Sequence, residues 1–204
     1  MTIDKYCMGP LGTNCYILKE DGKALVIDPS GKGEKIAELL EGNDLIAILL
    51  THGHFDHIKG VDYLAKQFQV PVYLNNKDWD LATSLEIDKE NQYQFGFSAR
   101  ISVELNDICE GQHTIGPFTF QVYETPGHTM GGLCFLFDKD MFCGDTIFKE
   151  SIGRVDLAGA DARLMKDSLR FIKTLDPDYV LYPGHGDNST IAYELENNYY
   201  LRRV

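Results

Sequence analysis

The stretch Thr51-His52-Gly53-His54-Phe55-Asp56-His57 sets three imidazoles and a carboxylate at relative positions i, i+2, i+4 and i+5. Groups packed this densely lose solvation and repel one another unless something positive sits among them. A borderline-soft divalent cation is the natural candidate, because zinc takes imidazole nitrogen and carboxylate oxygen at about 2.0–2.2 Å. The cluster follows directly on residues 45–50, the longest wholly apolar run in the chain. That run reads as a buried core strand, whose end delivers the cluster, and it is far too short to span a bilayer.

Working outward, residues 14–18 and 24–27 read as strands joined at Asp21-Gly22, a hairpin signal. Asp28-Pro29 ends the second strand, and residues 34–40 suit a short helix. Ile58, Val61, Leu64, Ala65 and Phe68 recur at helical spacing just after the cluster, and residues 70–74 resemble the next strand. Residues 79–100 carry no clear pattern; they either contact a substrate or merely cover a cleft. Strand patterns return at 101–105, 118–124, 133–137 and 141–143. Asp161 caps a helix whose expected apolar face is Leu164, Ser168, Phe171, Ile172 and Leu175. A strand at 179–182 and a helix at 190–200 close the chain. No linker, repeat or charge block divides it, so residues 1–204 are expected to form a single domain of two packed sheets with helices outside.

Three more donors stand in turns after strand-like runs. His128 follows Thr125-Pro126-Gly127, Asp145 follows Phe142-Cys143-Gly144, and His185 follows Tyr182-Pro183-Gly184. Gly and Pro let the backbone turn sharply there, and a rigid sheet behind such turns positions their side chains. A lone histidine in a turn is usually a solvated or capping group, and His113 is left in that class. Four donors in one cluster and three on turns argue against coincidence. Asp28 is either a turn residue before Pro29 or an acceptor for a ligand histidine's second N–H. Thr51 and Thr129 either orient the ligands beside them or are simple turn hydroxyls. Cys143 is read as a small buried residue rather than a ligand.

A net charge of −12 over 204 residues argues against nucleic acid and against an anionic membrane surface, both of which require clustered Lys and Arg. An anionic small molecule needs only a local cation and remains compatible. Apolar content of 44% and charged content of 25% fit a water-soluble globular protein. Five cysteines without a C-x-x-C pair suggest free thiols in a reducing compartment, and the N-terminus lacks an apolar stretch of signal-peptide length. A cytoplasmic location is therefore expected. Oligomeric state is not readable; Tyr199, Tyr200 and Leu201 pack either inward or between subunits.

With these residues in place, the chain resembles the metallo-β-lactamase superfamily. The H-x-H-x-D-H signature stands as His52, His54, Asp56 and His57, and the later single ligands as His128, Asp145 and His185. The resemblance implies an α+β fold, a four-layer αββα sandwich with the metals at one edge of the sheets. It implies that His52, His54 and His128 hold one metal and that Asp56, His57 and His185 hold a second, with Asp145 bridging. Asp56 and Asp145 thus count as catalytic, and a hydroxide shared by the two metals is the implied nucleophile. Zinc is the family expectation; His and Asp donors equally suit iron and manganese.

Residues 144–154 look like the glyoxalase II branch, which hydrolyses acylglutathione thioesters. Arg154 falls where those enzymes place a cation for the glutathione carboxylate, or is an ordinary surface charge; Lys149 is a weaker candidate of the same kind. Two departures bear on the substrate. Residues 185–188 read His-Gly-Asp-Asn, without the aromatic motif of full-length glyoxalase II. The sequence also ends soon after His185, where that family continues into a helical domain. The pattern matches the short, single-domain glyoxalase II-like group, with Thr190, Ile191 and Glu194 in its C-terminal pattern. The implied activity is hydrolysis of a small thioester such as S-lactoylglutathione. Alternatives are an iron-dependent persulfide dioxygenase of the same fold, or a non-catalytic metal-binding sensor module. A β-lactamase is disfavoured by the missing export signal, and a nuclease by the acidic charge.

Overall fold

The computed structural model describes all residues, Met1–Val204. Its first sheet has six strands in sequence order: β1 Thr2–Met8, β2 Thr13–Glu20, β3 Lys23–Ile27, β4 Asp44–Leu49, β5 Val72–Tyr73 and β6 Leu105–Asn106. β1, β2 and β3 pair antiparallel, whereas β3 to β6 run parallel. Parallel strands are covered on both faces, which is why β4 is a continuous apolar run rather than an alternating one. Between the strands lie α1 Gly33–Leu39, α2 Val61–Phe68, α3 Trp79–Thr83 and α4 Leu85–Phe95. Ile36 of α1 and Val61 and Leu64 of α2 are fully buried with Val26, Ile48 and Leu50, forming the core of this part of the chain.

The second sheet contains β7 Gly111–Ile115, β8 Phe118–Glu124, β9 Leu133–Phe137, β10 Asp140–Gly144, β13 Val180–Pro183 and β14 Ser189–Thr190. Its order is β14-β13-β10-β9-β8-β7, with β10 and β13 parallel. A separate hairpin joins β11 Ile147–Phe148 to β12 Ser151–Ile152. Helices α5 Ala162–Ile172 and α6 Ile191–Asn197 belong to this half, whose core gathers Met141, Cys143, Met165, Leu169, Ile172 and Leu181. The chain divides into two compact units, residues 1–108 with 114–118, and residues 109–113 with 119–204. No helix is long and apolar enough to cross a membrane.

Several sequence expectations need correction. Residues 101–105 are not a strand; only Leu105–Asn106 pairs. The Ser102 and Val103 amides instead donate to the Asp62 carboxylate on α2, at 2.9 and 3.4 Å, and the Ile101 amide donates to the Ala82 carbonyl. Backbone donors spent on helices cannot build a ladder. The buried face of α5 is Met165, Ser168, Leu169 and Ile172, one residue round from the expected stripe, and Leu175 lies beyond the helix. Asp161 caps that helix as expected, accepting from the Arg163 and Leu164 amides, which hold its carboxyl below the ordinary value. The last helix stops at Asn197, and Leu201 is buried while Tyr199 and Tyr200 are exposed. Residues 79–100 form α3 and α4. No residue of α4 is buried, so it carries no apolar stripe that periodicity can detect.

Two tests follow from this packing. Cys7 and Cys109 are exposed, whereas Cys15, Cys134 and Cys143 are buried. Burial pushes the Cys134 thiol up to about 11, so at pH 8 it is protonated as well as inaccessible. Thiol titration with Ellman's reagent should find two fast sites in the native protein and five in denaturant; a third fast site would contradict the packing. Ile172→Ala in the fully buried α5 face should cost about 2–5 kcal/mol in urea unfolding.

Candidate metal centre

In the first unit, parallel pairing of β3 with β4 sets Ile27 beside Leu49, so both strands end at the same place. Asp28 follows one strand, and Thr51 and His52 follow the other. The Asp28 amide donates to the Leu49 carbonyl at 3.1 Å. Asp28 takes a left-handed backbone, φ 49°, which aspartate tolerates better than most residues. Asp28 is only 1% exposed, and its carboxylate acts as a hub. Oδ1 accepts from the Thr51 amide at 2.8 Å, and Oδ2 accepts from Thr51 Oγ1 at 2.6 Å and from His57 Nδ1 at 2.9 Å.

These contacts fix tautomers. A carboxylate only accepts, so His57 carries its proton on Nδ1. The Thr51 hydroxyl spends its proton on Asp28, so its oxygen accepts from His52 Nδ1 at 3.0 Å. Both rings therefore present Nε2 as the electron-pair donor. The rings of His54 and His57 lie 4.8 and 4.1 Å from that of His52, centroid to centroid. Asp56 Oδ2 stands 3.5 Å from His57 Nε2 and accepts a 2.7 Å hydrogen bond from Thr13 Oγ1. Asp28 also lies within ligand distance of His52 and His57, but three hydrogen bonds already engage its oxygens, so it holds ligands rather than serving as one. Gly53 donates its amide to the buried Asp78 carboxylate at 3.0 Å, and a Cβ there would lie 2.8 Å from the Asp78 carbonyl oxygen.

In the second unit, parallel pairing of β10 with β13 sets Gly144 beside Pro183, and the Gly184 amide donates to the Gly144 carbonyl at 2.8 Å. The turns bearing Asp145 and His185 are thereby tied together. His128 leaves a third turn, closed by the Thr125 amide on the Gly132 carbonyl and the Gly127 amide on the Thr129 carbonyl. Asp145 Oδ2 lies 3.4 Å from His128 Nε2 and 3.6 Å from His185 Nε2. The His128 Nδ1 donates to the Arg154 carbonyl at 2.8 Å, so this ring too presents Nε2. Gly153 is dictated by contact: a Cβ there would fall 1.8 Å from the Asp145 carbonyl oxygen and 3.1 Å from His128 Cγ.

Other candidates fall differently. The Arg154 guanidinium is exposed and pairs with Asp156 through Nε at 2.9 Å and a second nitrogen at 3.0 Å, which raises its pKa; its contact with a ligand residue is made by its carbonyl. Lys149 stands 4.0 Å from Asp187 and over the Tyr193 ring. The Cys143 thiol is buried, donates to the Ile147 carbonyl, and is pushed up by desolvation. Thr129 Oγ1 is buried with no hydrogen-bond partner. His113 binds the Cys109 carbonyl at 2.9 Å and stacks on Phe120. Asp78, Thr13, Gly153 and the Arg154 carbonyl went unread in the sequence. Only Gly153, a glycine beside a candidate, offered any signal.

The donor chemistry fits divalent metal. Three histidines have their Nδ1 protons committed to oxygen acceptors, and carboxylates that can only accept when ionised stand within 3.4–3.6 Å of the Nε2 atoms of His57, His128 and His185.

Comparison with known proteins agrees. Residues 8–185 match the model of the metallo-beta-lactamase superfamily. The chain is 35% identical over 190 residues to the "Probable polyketide biosynthesis zinc-dependent hydrolase PksB" of Bacillus subtilis (strain 168), covering 91% of this chain and 78% of that protein. Among solved structures, the BLEG-1 B3 metallo-beta-lactamase superposes with a TM-score of 0.92 at 34% identity, covering 98% of this chain and 99% of that one. TTHA1623, in a di-iron-bound form, superposes at 0.88 with 33% identity, covering 97% and 99%. The chain belongs to the metallo-β-lactamase superfamily and has its mixed α/β fold. That family is one of metallo-hydrolases that bind divalent metals.

Removing the acceptor hub should loosen the ligands. Asp28→Ala is expected to weaken metal binding about 10- to 100-fold in chelator competition, while Asp28→Asn should do less because its amide oxygen still accepts. Gly153→Ala should lower metal occupancy, measured by elemental analysis, because the added methyl displaces Asp145 or His128. Full occupancy in that variant would contradict the geometry.

Proposed function

We propose that the chain acts as one domain over residues 1–204 and hydrolyses small thioesters with two divalent ions, as in the short glyoxalase II-like group. In this reading His52, His54 and His128 hold one ion, Asp56, His57 and His185 hold the other, and Asp145 bridges. The observation that carries it is the commitment of Nδ1 in His52, His57 and His128 to fixed acceptors, which pre-orients Nε2 for metal. A family match running from residue 8 to residue 185 takes in every one of these donors. Bound divalent ions supply Lewis acidity and a water whose pKa falls to about 7 on zinc.

The chain's own part is orientation and proton placement. Asp28 keeps the proton of His57 on Nδ1 and, through the Thr51 hydroxyl, that of His52 on Nδ1 as well. The Arg154 carbonyl does the same for His128. Thr13 holds one oxygen of Asp56 by donating to it. The rings of His52, His57 and His128 therefore need not turn or change tautomer when a ligand binds, which is what pre-organisation requires.

Arg154 and Lys149 are the proposed contacts for an anionic thioester. Each already faces a carboxylate, Asp156 or Asp187, which an incoming anion must displace. A polyanionic moiety such as glutathione therefore gains less here than from an uncommitted arginine.

A second reading comes from the likeness to a B3 metallo-beta-lactamase, and the di-iron relative makes iron a competitor of zinc. Purified protein loaded with zinc or iron should be assayed on S-lactoylglutathione and other acyl thiols, on nitrocefin, and for oxygen uptake with glutathione persulfide. The expected result is thioester turnover that chelation abolishes and metal restores. Metal-replete protein that cleaves no thioester would end this reading. Turnover of nitrocefin alone, or oxygen uptake alone, would install one of its rivals. Arg154→Ala should raise KM for S-lactoylglutathione while leaving kcat nearly unchanged, the sign of lost ground-state binding.

A further inference from the structure

The least expected group in the second unit is a carboxylate with no exposure, Glu194, in the middle of α6. Buried carboxylates survive only when hydrogen-bonded, and this one is fully engaged. Oε2 accepts from the Glu150 amide at 2.8 Å and from Asn198 Nδ2 at 2.8 Å, and Oε1 accepts from the Ser189 hydroxyl. Asn198 is equally buried, and its amide group also reaches the Phe148 carbonyl at 3.3 Å and the Ser151 carbonyl at 3.0 Å. Tyr193, one residue before Glu194, donates its hydroxyl to Glu150 Oε1 at 2.5 Å.

The bonded segments are not arbitrary. Phe148, Glu150 and Ser151 form the β11–β12 hairpin, which connects Asp145 to Gly153 and Arg154. Asp145 is the proposed bridging ligand, and the Arg154 carbonyl anchors His128. Glu150, at the hairpin turn, has a left-handed backbone with φ 60°, unfavourable for a residue with a side chain and in need of outside support. Ser189 opens β14, four residues after His185. One carboxylate thus joins the segment between Asp145 and the His128 anchor to the segment leaving His185.

We propose that Glu194 is a positioning residue for the metal centre, fixing through the β11–β12 hairpin and Ser189 the places of Asp145, His128 and His185. The proposal rests on the metal-centre reading above. It differs from an ordinary helix anchor in its consequence: disturbing Glu194 alters metal geometry as well as stability.

Substitution chemistry separates the two roles. In Glu194→Gln the amide oxygen can accept from the Glu150 amide and Asn198, while its NH2 donates to a Ser189 hydroxyl that has turned to accept. The contacts to Glu150, Asn198 and Ser189 are all kept without the charge. In Glu194→Asp the charge is kept, but the carboxylate is one methylene short and cannot reach both Glu150 and Ser189. Glu194→Ala removes all the contacts.

The test uses the full chain and cobalt(II) as probe, following its visible absorption and its affinity in chelator competition. Wild type and Glu194→Gln should bind two equivalents with the same spectrum. Glu194→Asp should bind about 10- to 100-fold more weakly with a shifted spectrum, as should Glu194→Ala if it folds. Wild-type affinity and spectrum in Glu194→Asp, whatever its melting temperature, would reduce Glu194 to a helix anchor and overturn the proposal. A loss in Glu194→Gln as large as in Glu194→Asp would overturn it too, since the hydrogen-bond pattern would then not be the cause. Wild-type protein that holds no cobalt would instead defeat the metal-centre reading itself.

Discussion

The Asp28 carboxylate and its three donors are the constraint on which the histidine cluster of the first unit depends. A buried anion in an apolar sheet end is unfavourable by itself, and it persists because the Thr51 amide, the Thr51 hydroxyl and His57 Nδ1 all donate to it. In return it decides which nitrogen of two imidazoles bears the proton. The interaction exists only because β3 and β4 run parallel, which brings the ends of two strands that are 22 residues apart (Ile27 and Leu49) to one level.

The second unit repeats the device with different groups. Parallel β10 and β13 bring Asp145 and His185 together, as β3 and β4 do for Asp28 and His52. The acceptor that orients His128 is a main-chain carbonyl, which no side-chain pattern encodes. A carbonyl is only as well placed as the backbone that carries it. The hairpin before Arg154 is accordingly held by two fully buried polar residues, Glu194 and Asn198. Polar burial of this kind fixes geometry, because each hydrogen bond tolerates few directions, whereas apolar contacts tolerate sliding.

How much was legible varies with the kind of signal. The seven donors stood out because imidazoles and a carboxylate at spacings of one to two residues are costly without a cation, and because Gly and Pro mark the other three turns. Strands 118–124 and 133–137 were read to the residue, since β-branched and aromatic runs between turn signals admit few alternatives. β1 was missed: it is an edge strand of mostly half-exposed residues and lacks a buried apolar face. Residues 101–103 look like a strand, yet their amides are claimed by Asp62 and Ala82, partners that local pattern cannot reveal. The α5 stripe was rotated by one residue because Met165 and Leu164 are equally apolar, and only packing chooses between them.

The sequence alone determined the donor types, their arrangement into one dense cluster and three turns, and the alternation of strands and helices. Each of these is local, set by residue chemistry and by the period of a helix or strand. Tertiary structure decided the proton positions on His52, His57 and His128 and the burial of Glu194. Those depend on pairs far apart in the chain, such as Asp28 with Thr51, 23 residues apart, and Glu150 with Glu194, 44 apart, whose meeting follows from strand order and packing rather than from any pattern along the chain.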